Sequence, residues 1–127
     1  MLTKEQILSV IDRDSKIIEV PEWGGKVCLT VLGGADRDEL TSKFGDGAPL
    51  ATFYARVLSY AMIDGFGVRV FSESDVASLA QKNPDTVMRL GLEALRLNGM
   101  AAKSVEEAEK NSDAGPSAPS GSDSLAS

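Results

Sequence analysis

The chain has 127 residues, with 19 acidic against 13 basic side chains, a formal net charge of −6 and no histidine. That length fits one domain with a modest core, and the clustered Lys and Arg of a nucleic-acid-binding surface are missing. The lack of His and the single Cys28 remove the commonest general base, most zinc and haem sites and every disulfide framework, and point to a reducing cytosol. No apolar run approaches the ~20 residues that span a bilayer. Met1 is followed by a polar, cap-like segment rather than a basic-then-apolar leader. The expectation is a soluble protein, neither exported nor membrane-embedded.

In chain order, Thr3 and Gln6 make a capping box, with Leu2 and Ile7 as its hydrophobic staple. A helix is predicted from Lys4 to Asp12. Its apolar stripe of Ile7, Val10 and Ile11, flanked by Leu8, is narrow and suits packing on the face of a sheet. A β-hairpin is predicted over Lys16–Leu32. Val27, Leu29 and Val31 fall on one face of its second strand, and Lys26, Cys28 and Thr30 on the other. Gly24-Gly25 suits the positive φ angles of a tight hairpin turn. Pro21 cannot donate to a ladder, so the first strand is an edge strand or ends there. Trp23 beside this turn has two readings, a lid on the core or an anchor for a partner.

Gly33-Gly34 breaks the strand, and Ala35–Leu40 reads as a helix start with acidic residues in its first turn. Leu40 and Phe44 mark its buried side. Asp36, Asp38 and Glu39 read as a solvated face rather than a metal site, because they lack the spacing and interior Gly of a calcium loop. After the Gly45–Pro49 loop comes the strongest helical signal: Leu50, Phe53, Tyr54, Val57, Leu58, Ala61 and Met62 recur at steps of three and four. This helix is predicted to be the spine of the core, with Tyr54 and Tyr60 at its edge. Asp64-Gly65 ends it, and Val68–Phe71 is predicted to add a short strand. Ser72 and Asp75 cap a short helix through about Gln81. Asn83-Pro84 opens another, carrying Val87, Leu90, Ala94 and Leu97 and closing at Asn98-Gly99. Ser104 and Glu107 cap a terminal helix through Lys110. From Asn111 the composition turns to Ser, Gly, Pro and Asp, with only Leu125 as a large apolar side chain, too little to offset ordering entropy. The predicted architecture is α+β: a small antiparallel sheet, made of a hairpin plus a short strand, packed against several helices. It forms a single domain over 1–111 with a disordered tail over 112–127.

No chemistry is visible in this pattern. Gly33-Gly34 lacks the Lys-Ser/Thr of a P-loop and the spacing of a dinucleotide site. The carboxylates Asp36 and Asp38, and Glu106, Glu107 and Glu109, lie on predicted polar helix faces, where no burial raises a pKa into a working range. No catalytic, cofactor-binding or metal-ligating set emerges, and the residues read as a non-enzymatic interaction protein.

The ordered motifs Val20-Pro21-Glu22-Trp23-Gly24-Gly25, Gly34-Ala35-Asp36-Arg37-Asp38, Phe71-Ser72-Glu73-Ser74-Asp75-Val76, Leu95-Arg96-Leu97-Asn98-Gly99-Met100 and Glu106-Glu107-Ala108-Glu109-Lys110-Asn111 together resemble the tail assembly chaperones of long-tailed bacteriophages. The resemblance implies a protein of the infected host cell's cytoplasm that binds the tape-measure protein, recruits tail-tube subunits around it and is absent from the mature virion. It also implies that a translational frameshift can yield a longer form, of which this chain is similar to the short product, and it makes that longer form and self-oligomers further partners. No nucleic acid or membrane partner is expected. The candidate partner contacts are Pro21, Trp23, Tyr54 and Phe66. The rival expectation is a minor tail or tail-completion protein that stays in the virion; an adaptor in a host pathway and a small hydrolase rank below it.

Overall fold

The computed structural model describes residues 1–100. The terminal helix predicted from Ser104, the boundary at 111 and the 112–127 tail lie outside the described residues. The architecture is α+β. Strands β1 (Ser15–Val20), β2 (Gly25–Thr30) and β3 (Met62–Ile63) form an antiparallel sheet in the order β1-β2-β3. The helices are α1 (Lys4–Ser9), α2 (Gly34–Thr41), α3 (Leu50–Ala61), α4 (Val76–Leu79) and α5 (Pro84–Leu97).

The register follows from the alternation. Ile18 pairs with Val27, and Leu29 pairs with both Lys16 and Met62, which sends Ile18, Val20, Val27, Leu29 and Met62 to one face. Helices α3 and α5 pack against that face and against each other. Leu29, Leu58, Leu90 and Leu95 are fully buried between these layers, each contributing about 1.5–3 kcal/mol before chain entropy is counted.

Two features hold the layers in place. The first is a close helix crossing: a Cβ built on Gly91 of α5 would lie 2.7 Å from Tyr54 Cδ1 of α3, so only glycine lets the two helices approach this far. The second is Asn98. Gly99 adopts φ 69° and ends α5 in a Schellman turn, with Met100 N–H donating to the Leu95 carbonyl at 2.8 Å and Gly99 N–H to that of Arg96 at 3.0 Å. The buried Asn98 side chain then crosses to the sheet. Its Oδ1 accepts from Leu32 N–H at 2.8 Å, while Nδ2 donates to the carbonyls of Ala94 at 2.9 Å and Thr30 at 3.3 Å. These bonds satisfy backbone groups past the end of β2 that would otherwise be buried without partners.

Several expectations are corrected. α1 stops at Ser9, because Val10 is extended and leads towards β1, and it buries no residue. The sheet face it was expected to cover is taken by α3 and α5. The capping box itself forms, with both Thr3–Gln6 bonds present. The hairpin closes through a 3₁₀ turn over Pro21–Trp23 rather than at a glycine pair: Gly24 alone has positive φ, at 79°, and Gly25 is already in the ladder opposite Val20. β2 ends at Thr30, two residues short of the Leu32 bound predicted for the hairpin. The third strand is Met62–Ile63, directly continuing α3. The Val68–Phe71 segment contributes a single bridge, Arg69 to Ile63, because Asp64–Gly67 turns the chain back along that short strand. The short helix predicted after Ser72 is divided into a 3₁₀ turn over Glu73–Asp75 and α4.

Replacing Gly91 by alanine tests the helix crossing by sign. On an open helix surface the change would stabilise by about 1 kcal/mol, whereas overpacking against Tyr54 is expected to destabilise by about 1–3 kcal/mol. A thermal midpoint equal to or above that of the parent would show that α3 and α5 do not depend on this contact.

Candidate partner-binding surface

The hairpin tip is tied to α5. Pro21 pre-sets φ for the 3₁₀ turn, and the turn directs the Glu22 carboxylate towards the start of α5. There Glu22 Oε2 accepts from Arg89 Nη2 at 2.8 Å and from Thr86 Oγ1 at 2.9 Å. Arg89 Nη1 also reaches the Glu19 carbonyl at 3.5 Å. A backbone N–H bond at Glu22, followed by the Arg89 and Thr86 bonds, holds this carboxyl below its ordinary range. Next to it Trp23 is 36% exposed and Pro21 is exposed. Neither reading of Trp23 is fully met, since its ring is partly packed and partly open.

A second aromatic is presented by the turn after β3. Asp64 Oδ1 accepts from Phe66 N–H at 2.8 Å and Val68 N–H at 3.0 Å, and Gly67 takes φ 81°. Those two backbone donors, Val68 first, lower the Asp64 pKa. Phe66 stands out from this turn at 93% exposure. Of the aromatic residues, Trp23 and Phe66 are the two that are exposed; Phe44 and Phe71 are half-buried, and Phe53, Tyr54 and Tyr60 are buried.

Between the two turns lies the outer face of the sheet. Ile17, Cys28 and Ile63 share it by register, and with Lys26, Asp64 and Val70 they line an open groove of about 380 Å³. Ile17 is 65% exposed there, and Cys28 is a half-buried free thiol.

Tyr54 does not belong to this surface. It is 4% exposed, with its ring against Gly91 and edge-on to Phe53 at 5.2 Å, so its place as a candidate partner contact is corrected to a core residue. Pro21, Trp23 and Phe66 are accessible, at two separate turns. Asp38 and Glu39 of α2 are exposed, as expected of a solvated face, and Glu39 Oε2 also accepts from the Tyr60 hydroxyl at 2.7 Å. Burial, then this bond, pushes the Tyr60 pKa up. The Arg69 guanidinium lies 4.4 Å from the Tyr60 ring centre and donates from Nε to the Ser59 carbonyl at 2.8 Å. No group of three or more His, Cys, Asp or Glu placed to hold a metal ion occurs among the described residues.

Glu22, Arg89, Asp64 and Asn98 carry the geometry of this region, and sequence reasoning assigned none of these roles. The Glu22–Arg89 pair spans most of the domain in sequence and leaves no local pattern. Asp64 followed by Gly65 and Gly67 was visible as a turn, and the missing step was that its carboxylate would collect two N–H donors.

The lone tryptophan reports on the hairpin tip. Because folding lowers the Glu22 pKa, the stability from its bonds is complete above the ordinary glutamate range and is lost as pH falls through the lowered value. Trp23 emission is expected to change on that acid limb. Glu22→Gln should remove the transition and Asp64→Asn should leave it in place; an unchanged acid profile in Glu22→Gln would show that the tip does not depend on the carboxylate.

No helix among the described residues is long and apolar enough to cross a membrane. Comparisons of the chain with protein-family models, with curated proteins and with solved structures gave no match.

Proposed function

We propose that this chain is a non-catalytic tail assembly chaperone of a long-tailed bacteriophage, which binds the tape-measure protein and recruits tail-tube subunits in the cytoplasm of the infected cell. The observation that supports the reading most is the pair of exposed aromatics, Trp23 and Phe66, each set on a turn braced by a carboxylate. Large aromatic side chains on pre-ordered backbone lose little entropy on docking, and they dominate binding energies out of proportion to their number. A long helical client with apolar stripes offers repeated sites for such anchors, and many weak contacts along it sum to strong retention. The net charge of −6 opposes co-precipitation of the loaded complex. The client is the one the resemblance of the ordered motifs implies, and with Tyr54 buried the candidate contacts are Pro21, Trp23 and Phe66.

Co-expression with the tape-measure protein of the same genome is the test. The wild-type chain should raise the soluble fraction of the client. Phe66→Ala should weaken binding by roughly 2 kcal/mol, about thirtyfold in affinity, with its melting temperature unchanged because the ring is outside the core. Trp23→Ala should weaken binding more than it lowers the melting temperature. A client equally insoluble with and without the chain refutes the reading. Mass spectrometry of purified particles separates it from a structural tail component, which would be present in stoichiometric amount.

A further inference from the structure

Asn98-Gly99 is the one Asn-Gly pair in the chain. The side-chain amide of an asparagine is open to attack by the backbone nitrogen of the next residue, and the attack is least hindered where that residue is glycine, which has no side chain. Asn83 is followed by Pro84, whose nitrogen carries no hydrogen to give up. Asn111 is followed by Ser112 and lies outside the described residues. We propose that Asn98–Gly99 is a self-modification site gated by the joint between α5 and β2: it is inert while the joint is closed, deamidates when the joint opens, and leaves a product that cannot close the joint again.

The closed joint denies each requirement of the reaction. Gly99 must lose its amide proton, yet that N–H donates to the Arg96 carbonyl at 3.0 Å. A five-membered ring needs the Gly99 nitrogen on the same side as the Asn98 Cβ, whereas Asn98 sits at ψ 2°, at the end of a helix. The side-chain amide must turn, and three bonds pin it: Oδ1 to Leu32 N–H at 2.8 Å, and Nδ2 to the carbonyls of Ala94 at 2.9 Å and Thr30 at 3.3 Å. Asn98 is also only 7% exposed. Helix ends ordinarily fray at little cost, but this one is tied to the chain leaving β2, so the reactive form is reached only by breaking tertiary bonds.

Once open, the Gly99 nitrogen gives its proton to hydroxide or water and attacks Cγ. The N–Cγ bond forms, the Cγ–Nδ2 bond breaks, and Nδ2 takes up a proton and leaves as ammonia. Water then adds to either carbonyl of the resulting succinimide and breaks that carbon's bond to the ring nitrogen, giving an aspartyl or an isoaspartyl residue. Neither product fits. A carboxylate has acceptors only, so one oxygen can take the Leu32 N–H while the other is set against the carbonyl oxygens of Ala94 and Thr30, a buried acceptor facing acceptors. The isoaspartyl form also adds a methylene to the main chain and moves Gly99 and Met100 out of the register that ends α5.

The full wild-type chain, incubated at mildly alkaline pH either folded in buffer or unfolded in guanidinium chloride, is the test, read by peptide mapping with mass spectrometry. The Asn98 peptide should gain the mass of amide-to-acid conversion in denaturant, with isoaspartate present, and should convert about tenfold or more slowly in the folded chain. Returned to buffer, converted chains should be digested by protease before the unconverted chains in the same sample. Asn98→Asp should lower the thermal midpoint or fail to fold, while Asn83→Asp, the same charge change at a helix N-cap that aspartate serves equally well, should retain it. Equal rates in folded and unfolded chains would remove the gate. An Asn98 that stays intact in denaturant would remove the chemistry. Converted chains as protease-resistant as the rest, or an unchanged midpoint in Asn98→Asp, would remove the consequence. None of these readouts involves a tape-measure protein, so the outcome is separate from the chaperone reading.

Discussion

The approach of α3 to α5 at Gly91 and Tyr54 governs what the rest of the domain can do. With a Cβ distance of 2.7 Å denied to any other residue, the two helices close into a layer that fills the inner face of the sheet. Three strands, the third of two residues, offer little area, and that layer covers their inner face. α1 is therefore left outside with its apolar stripe in water. The arm is exposed although its capping box is complete, so its local signal is not what is weak.

The same layer sets the hairpin tip. Arg89 and Thr86 lie on consecutive turns of α5, and they fix Glu22 only because α5 is held against the sheet from both ends, by the Glu22 bonds near its start and by Asn98 past its finish. Each of these ties links a motif-like stretch to an element far away in sequence. Val20-Pro21-Glu22-Trp23-Gly24-Gly25 is thus a clamp on a helix as much as a turn, and Leu97-Asn98-Gly99 is a helix stop that also stitches the chain emerging from β2. Such residues serve folding and surface presentation together, because the turn that Glu22 ties to α5 also carries Trp23.

Local signals were legible where one element carried its own explanation. The α3 stripe from Phe53 to Ala61, the Asn83-Pro84 start of α5 and the Gly99 stop were read at nearly their observed bounds, because capping and 3.6-residue periodicity act within a few positions. Reading failed where the deciding partner was remote. The stripe of α1 has the same local form as a core stripe, and only the prior claim of α3 and α5 on the sheet distinguishes them. Tyr54 looked like an edge residue because nothing near it in sequence announces the glycine 37 positions later that its ring covers. Met62-Ile63 continues the helical stripe of α3, yet pairing with Cys28 and Leu29 recruits it as a strand, the ordinary override of periodicity by tertiary contact.

The surfaces left open bear on mechanism through their separation. The two exposed aromatics sit on turns that flank the sheet, whereas the arm and groove are aliphatic and carry mixed charge. Aromatic anchors on pre-ordered turns dominate contact energy with few residues. Two aromatic anchors held on one domain let a partner with repeated apolar sites meet both at once. The gain in retention from that arrangement depends on effective concentration rather than on any single stronger contact.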